Sequence, residues 1–279
     1  VIHEFGHGIQ ARAHGMRVRN FGLLMMGPIP LGAFAEPEYS EISTSPRRER
    51  QRMFAAGPAT NIFAALILMV ILGHVGGQFV AADPGVHSSQ IVLDSAADDA
   101  GLEAWDVIIS INGTVIVDGG DFTNAMADIS AGQIVPMEVI RHGNGTNEVL
   151  MVNMTDKYDY MIDLGYDSET LDSMGVEKGD AFLGVNSPSG GTAGVDRLAR
   201  WNDPNFGGSA FGYAISVPVS AGTILFTPFE YQGVAIHPAQ EEMLDSGDGW
   251  LASILGLSGL LILMNLLFWL IWVNILLLA

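Results

Sequence analysis

A run of thirty residues without one charged side chain, Trp250–Ala279, sets the first limit on what this chain can fold into. As a helix it extends about 45 Å, more than the roughly 30 Å hydrocarbon core of a bilayer. A second run, Met53–Val75, holds 23 residues and no Asp, Glu, Lys or Arg; as a helix it covers about 34 Å, with Pro58 placed in its first turns. Backbone polar groups in hydrocarbon must be satisfied within the segment, so both runs are expected as membrane helices. Trp250, Trp269 and Trp272 are available as interface anchors, and Asn265 and Asn274 argue for one protein-facing side. Phe206–Phe229 also lacks charge, but Gly207, Gly208, Gly212, Pro218 and Gly222 thin its hydropathy, so a surface or re-entrant element is expected there.

The chain nevertheless has a formal net charge of −19, from 31 acidic and 12 basic residues, while its mean hydropathy is positive. Charge and apolarity must therefore occupy different segments. Lysine occurs only at Lys157 and Lys178, and such an acidic, lysine-poor surface fits either a halophile or an ordinary acidic extracellular domain. The negative charge disfavours nucleic-acid binding. The absence of cysteine excludes disulfides, thiolate metal sites and cysteine nucleophiles in this chain. Beginning at Val1 and stopping inside an apolar run, the sequence is expected to be a piece of a longer protein.

Seven of the twelve basic residues lie in the first 52 positions, ending in Arg47, Arg48, Arg50 and Arg52 beside the first long apolar run. By the positive-inside rule that loop is cytoplasmic, and the chain after Val75 is delivered outside. Between Phe21 and Phe34, Gly27, Pro28, Pro30 and Gly32 forbid a regular helix, so apolar extended or looped backbone is expected. From Asp83 to about Asn153 the runs IVLDS, DVIISI, TVIV and PMEVIRHG read as short strands, with one helical piece at Asp121–Ile129. Asn112-Gly113 predicts a type I′ hairpin turn. Asn112, Asn144 and Asn153 each begin an N-x-T sequon.

The chemistry concentrates in the first helix, VIHEFGHGIQARAH. In H-E-x-x-H, His3 and His7 fall four apart on one helical face and present both imidazoles to one metal ion, with Glu4 beside them as general base. A catalytic zinc generally takes a third protein ligand. His14 lies about 10.5 Å of helix rise beyond His7, too far to share an ion. Glu36 is the candidate for a soluble-type zincin arrangement, and Asp245 falls in a loop assigned to the other side of the membrane.

HEFGHGIQARAHGMRVRNFG resembles the H-E-x-G-H-x-x-x-A-x-x-x-G-x-x-V pattern of the site-2 protease family of intramembrane zinc metalloproteases. PIPLGAF resembles that family's PLGG-type hairpin, AAGPATN the G-P-x-x-N opening of its next span, and SAADDAGLEAWDVIISINGTVI a PDZ domain. The resemblance implies a polytopic α-helical membrane protein with an inserted α+β PDZ-like domain. It implies Zn²⁺ on His3 and His7, Glu4 as catalytic base, and substrate contacts at Pro30, Leu31 and Gly32; Asn61, the polar group of the second apolar run, is read as joining helices, with a substrate contact as the alternative. Transmembrane proteins are then the substrates, a peptide or protein ligand sits on the PDZ-like domain, and the lipid bilayer is the surroundings. The family's third ligand is an aspartate in an L-D-G motif that these residues lack; WVNILLLA resembles its lead-in, so the ligand is expected beyond Ala279, and the 279 residues alone are expected to hold zinc weakly and to be inactive. The alternative to an enzyme is a PDZ-bearing membrane scaffold. Trp105 stands where the PDZ pattern has glycine before Asp106, which puts that turn in doubt. The expected divisions are 1–82 for the protease core, 83–155 for the PDZ-like domain, 156–249 for a Gly- and Asp-rich region, and 250–279 for the last membrane helix.

Overall fold

A computed structural model of the chain describes residues 1–212, 216 and 236–278; the side chains of 29–31, 238 and 272–278 lie outside that description. The chain divides into two bodies, Val1–Gly73 with Leu261–Ala279, and His74–Leu260.

In the first body, helix α1 (Ile2–Ala13) ends at His14, and Gly15 follows at φ +78°, the left-handed stop that glycine takes without a Cβ penalty. Strands β1 (Val18–Met26) and β2 (Ile29–Pro37) form an antiparallel hairpin. The extended backbone expected for this stretch is present, and the register shift at Met25 opposite Pro30 is where a proline is tolerated in a ladder. Phe21, Leu23, Leu24, Met25 and Met26 are each about half exposed, an apolar surface that water would disfavour. A short helix α2 (Tyr39–Thr44) follows; Arg17, just before β1, reaches Glu41 in it, and Arg19 on β1 reaches Glu38 at its N-cap.

Helix α3 (Arg47–Gly76) begins six residues before the predicted start, so Pro58 lies in its interior rather than in its first turns. The Phe54 carbonyl has no N–H at Pro58 to receive, a defect that a membrane helix carries next to packed neighbours. Among the described residues α3 and the last helix, Trp250–Leu278, are long and apolar enough to cross a bilayer. The last helix is broken at Gly256, whose φ of +57° only glycine adopts readily. Asn265 donates its side-chain amide back to the Leu261 carbonyl at 2.9 Å, one turn earlier in the same helix.

The second body carries β3 (Val80–Ala81), β4 (Val86–His87), helix α4 (Ala96–Asp99), β5 (Val107–Ile111), β6 (Thr114–Val115), helix α5 (Gly119–Ala127), β7 (Ile134–Ile140) and β8 (Asn147–Asn153). The sheet runs β4-β5-β7-β8, with β6 paired to β5. Alternation along β7 sends Val135, Met137 and Val139 into a core shared with Ile108, Ile111 and Phe122. Asn112 and Gly113 take φ of +50° and +79°, the type I′ turn that Asn-Gly predicts. Asp118 caps α5 through Gly120 N–H and Asp121 N–H, starting it two residues earlier than predicted. IVLDS is not a strand: it contributes one bridge at Ile91 and then turns, with Asp94 at positive φ.

Beyond Asn153 come β9 (Thr155–Asp156), α6 (Lys157–Asp163), α7 (Ser168–Met174), β10 (Ala181–Phe182), α8 (Val195–Ala199) and a 3-10 turn at Pro238–Met243. Strand β11 (Leu244–Asp245) then pairs with β3 and precedes α9 (Trp250–Leu278). An edge at residue 155 cuts through this body, because Leu183 belongs to the same core, Val185 bridges Ile91 and Ser189 bridges His87. The element expected at 206–229 lies largely outside the described residues.

The turn before Asp106 does form. Trp105 takes φ +74° in place of glycine, its N–H donates to the Ser88 carbonyl at 2.8 Å, and its indole stacks between the His87 and His237 rings. Left-handed backbone costs a non-glycine residue about 1–2 kcal/mol, and the stacked rings offset it. Asp106 accepts from Arg141 Nη1 at 2.7 Å and from the N–H groups of Glu103 and His142, so its buried carboxylate is fully engaged.

His87 is 3% exposed and its Nδ1 meets no hydrogen-bond partner among the described residues; burial holds its pKa down to about 4. The folded chain keeps the ring neutral, whereas the unfolded chain protonates it near pH 6.5. The stability this contributes is complete above about pH 6.5 and is lost as pH falls toward 4, a change of about 3 kcal/mol. Thermal unfolding followed from pH 7 to pH 4.5 is expected to show that loss, and His87→Phe to flatten it. An unchanged profile in the variant would count against the assignment.

Candidate metal centre

The site is built from α1 and α3 within the first body. On α1 the two imidazoles meet with Nε2 of His3 and Nε2 of His7 3.1 Å apart. Two nitrogens bound to one tetrahedral zinc at 2.0–2.1 Å stand about 3.3 Å from each other, so the spacing matches a shared ion. Two lone pairs that close repel unless a proton or a cation lies between them.

The rear nitrogens fix which atoms face the centre. His7 Nδ1 donates to the Met53 carbonyl at 2.8 Å, which leaves Nε2 as the unprotonated, ligating nitrogen. His3 Nδ1 lies 3.1 Å from the Asn61 side-chain amide. With Nε2 on a metal, His3 Nδ1 carries the proton, and the amide orientation that presents Oδ1 receives it. Asn61, read from the sequence as a group that joins helices or touches a ligand, is 3% exposed, and its amide links α3 to His3 on α1.

Gly57 is the residue that lets α3 approach. A Cβ built there would lie 2.6 Å from His3 Nε2 and nearer still to His7 Nε2, on the ligating atoms themselves. Gly6 plays the matching part on α1, where a Cβ would stand 2.6 Å from the Ala56 carbonyl oxygen and collide with Thr60 Oγ1. The Glu4 carboxylate accepts from the Ala35 N–H of β2 at 3.2 Å, which ties the hairpin to the helix and orients the base. Gly32 pairs with Leu24 across the hairpin. Thus His3, Glu4, His7 and Asn61 come together, and Met53 and Gly57 join them, although neither has a role that its sequence position suggests.

The alternative ligands do not join. Glu36 accepts from the Asn20 side chain at 3.1 Å, His14 meets Gln10, and Asp245 caps the Gly247 N–H. Among the described residues no three His, Asp or Glu side chains gather as a complete metal site.

The model of peptidase family M50 matches residues 1–279, and the chain belongs to that family, the site-2 proteases. Two similar proteins carry the name "Putative zinc metalloprotease". The one from Rhizobium meliloti is 26% identical over 68% of this chain and 57% of its own length. The one from Neisseria meningitidis is 29% identical over 48% of this chain and 35% of its own. A chloroplastic membrane metalloprotease of Arabidopsis thaliana is 31% identical over 46% of this chain and 35% of its own. The chain thus spans between about a third and somewhat over half of the length of these relatives. Zinc is the metal that the names of the Rhizobium meliloti and Neisseria meningitidis proteins give, and it is the metal that the imidazole pair fits.

Proposed function

We propose that this chain carries the catalytic half-site of a multi-pass membrane zinc endopeptidase that cleaves transmembrane segments of other membrane proteins. The observation that carries the reading is the pair of Nε2 atoms 3.1 Å apart, each imidazole backed by a hydrogen bond at its other nitrogen. His3 and His7 hold the metal, and an aspartate C-terminal to Ala279 completes the ligand set. When bound, zinc supplies Lewis-acid chemistry, lowering the pKa of water and polarising a scissile carbonyl. Glu4, held by Ala35 N–H, takes the proton of the attacking water and passes it to the leaving amine. Asn61 and the Met53 carbonyl hold the rings in the tautomers that ligation needs.

The exposed apolar hairpin β1–β2 supports the substrate class. A transmembrane segment must unwind to be cut, and an extended peptide laid along the hairpin through Pro30–Gly32 satisfies its backbone as an added strand. Helices α3 and α9 lie in the bilayer, the arginines of 47–52 face the cytoplasm, and the α+β module stands outside as a PDZ-like domain that binds a peptide or protein ligand. A non-catalytic scaffold would have no reason to keep Gly57, the oriented imidazoles and the anchored Glu4 together. A soluble-type zincin through Glu36 is disfavoured by the bond of that carboxylate to Asn20.

The test uses the full-length protein in liposomes with a single-span reporter. Mass spectrometry is expected to find the cut within the apolar span, and a zinc chelator to end cleavage until zinc is restored. Cleavage confined to the reporter's soluble loops, or undiminished after zinc removal, would overturn the proposal.

A further inference from the structure

Three N-x-T tripeptides occur in the chain, at Asn112, Asn144 and Asn153, and all three fall on the α+β module. Their surroundings differ in a way that singles out one. Transfer of a sugar to an asparagine requires the tripeptide to leave its resting conformation and extend into a transferase, so a residue locked in a β-ladder is a poor acceptor. At Asn112 the threonine, Thr114, is paired with Ile111 across β5 and β6. At Asn153 the asparagine itself is paired with Ile134 in β8, and Met154 behind it is 2% exposed.

Asn144 is placed differently. The whole tripeptide Asn144-Gly145-Thr146 lies in the six-residue connection 141–146 between β7 and β8, and all three residues are exposed. Gly143 and Gly145 flank the asparagine at φ +86° and +63°, and Gly145 N–H to the Arg141 carbonyl at 3.0 Å with Arg141 N–H to the Thr146 carbonyl at 2.9 Å close the turn locally, so opening it breaks no strand ladder. The base of the connection is pinned: His142 N–H donates to Asp106, Gly143 N–H donates to Glu242 at 2.8 Å, and Arg141 bonds Asp106 and Glu148. The tip therefore projects from a fixed stem. The Asn144 carboxamide oxygen accepts from both Thr146 N–H at 3.0 Å and Thr146 Oγ1 at 2.8 Å. That leaves the sequon folded on itself, with the Thr146 hydroxyl on the asparagine's oxygen, in an exposed turn.

We propose that Asn144 is an N-glycosylation site, modified by a membrane glycosyltransferase that uses a sugar carried on a polyprenyl phosphate. In that step the Nδ2–C1 bond forms and the bond from C1 to the phosphate oxygen breaks. The lipid phosphate leaves with the electron pair, and Nδ2 loses a proton. The proposal rests on the outward orientation proposed for the module.

Its test begins with protein recovered from the membranes of its own host, digested and analysed by mass spectrometry. The peptide containing Asn144 is expected to carry a glycan. Thr146→Val is expected to remove it, and Thr146→Ser, which keeps the hydroxyl, to retain it. The chain has no cysteine, so Asn124→Cys on the exposed face of α5 gives these residues a single thiol for a membrane-impermeant maleimide. Labelling from outside together with an unmodified Asn144 would overturn the modification alone. Absence of labelling in intact cells, with labelling after lysis, would overturn the orientation and the modification with it.

Discussion

Replacing Gly57 by alanine in the full-length protein is expected to abolish zinc retention and, with it, proteolysis. The added methyl falls 2.6 Å from His3 Nε2 and closer to His7 Nε2, so the rings must swing off the ligating position, against the rear hydrogen bonds that aim them, or α3 must draw back. Losing an outer partner of a metal ligand costs about 10- to 100-fold in affinity, and an obstruction on the ligating atoms is expected to cost at least the upper end of that range. Helix propensity pushes the opposite way, since alanine is favoured over glycine inside a helix by about 1 kcal/mol. If propensity alone mattered, Gly57→Ala would be more stable and fully loaded. Zinc content per chain by elemental analysis, beside the melting temperature, separates the outcomes. A variant that retains one zinc would rule out the close approach of α3 to the imidazoles.

Glu4→Gln makes the complementary case. The amide has nearly the shape of the carboxylate, and its oxygen still accepts from Ala35 N–H, so the helix–hairpin contact and the zinc are expected to stay. What is lost is the ability to take a proton. Turnover of a membrane reporter is expected to fall by about 10²- to 10⁴-fold, the usual contribution of a general base. Zinc lost together with activity would place Glu4 among the residues that hold the metal, and undiminished turnover would remove it from the chemistry.

The two variants divide along the line between what is legible in the sequence and what is not. Four-residue spacing on a helix is a local rule, so His3, Glu4 and His7 can be assigned without knowing where the helix packs. Gly57 and Asn61 stand in a recognisable G-P-x-x-N stretch, but a glycine gives no hint of which atoms its missing Cβ would strike. The Met53 carbonyl is beyond reach, because any residue there offers the same oxygen. Asn61 can be read from sequence as a group that joins helices, but not that its partner is His3, 58 positions away.

In the second body the Asn-Gly turn and the β5 and β7 strands are legible for the same local reason. IVLDS misleads because an apolar run of that length fits a single bridge as well as a strand. Helices α6 and α7 escape a reading by apolar runs, though each has a sequence signal: Asp156 and Asp167 cap them through main-chain N–H groups. Trp105 follows no propensity rule. Its positive φ is imposed by the stack on His87 and His237, a contact between distant segments.

The late segment that completes the α+β module has a consequence for how the protein is made. Ser88 Oγ donates to the Asn186 carbonyl across 98 positions of chain, and Leu183 fills the core from the same stretch. Closing a loop of that length costs about 4 kcal/mol in chain entropy, against little for the β5–β6 and β7–β8 hairpins. The hairpins are therefore expected to form while the ribosome is still working, and the module to wait, its core open on one side, for residues 181–189. Those residues emerge well before Trp250, so a nascent chain has a window in which to seal the module before its last hydrophobic helix is synthesised.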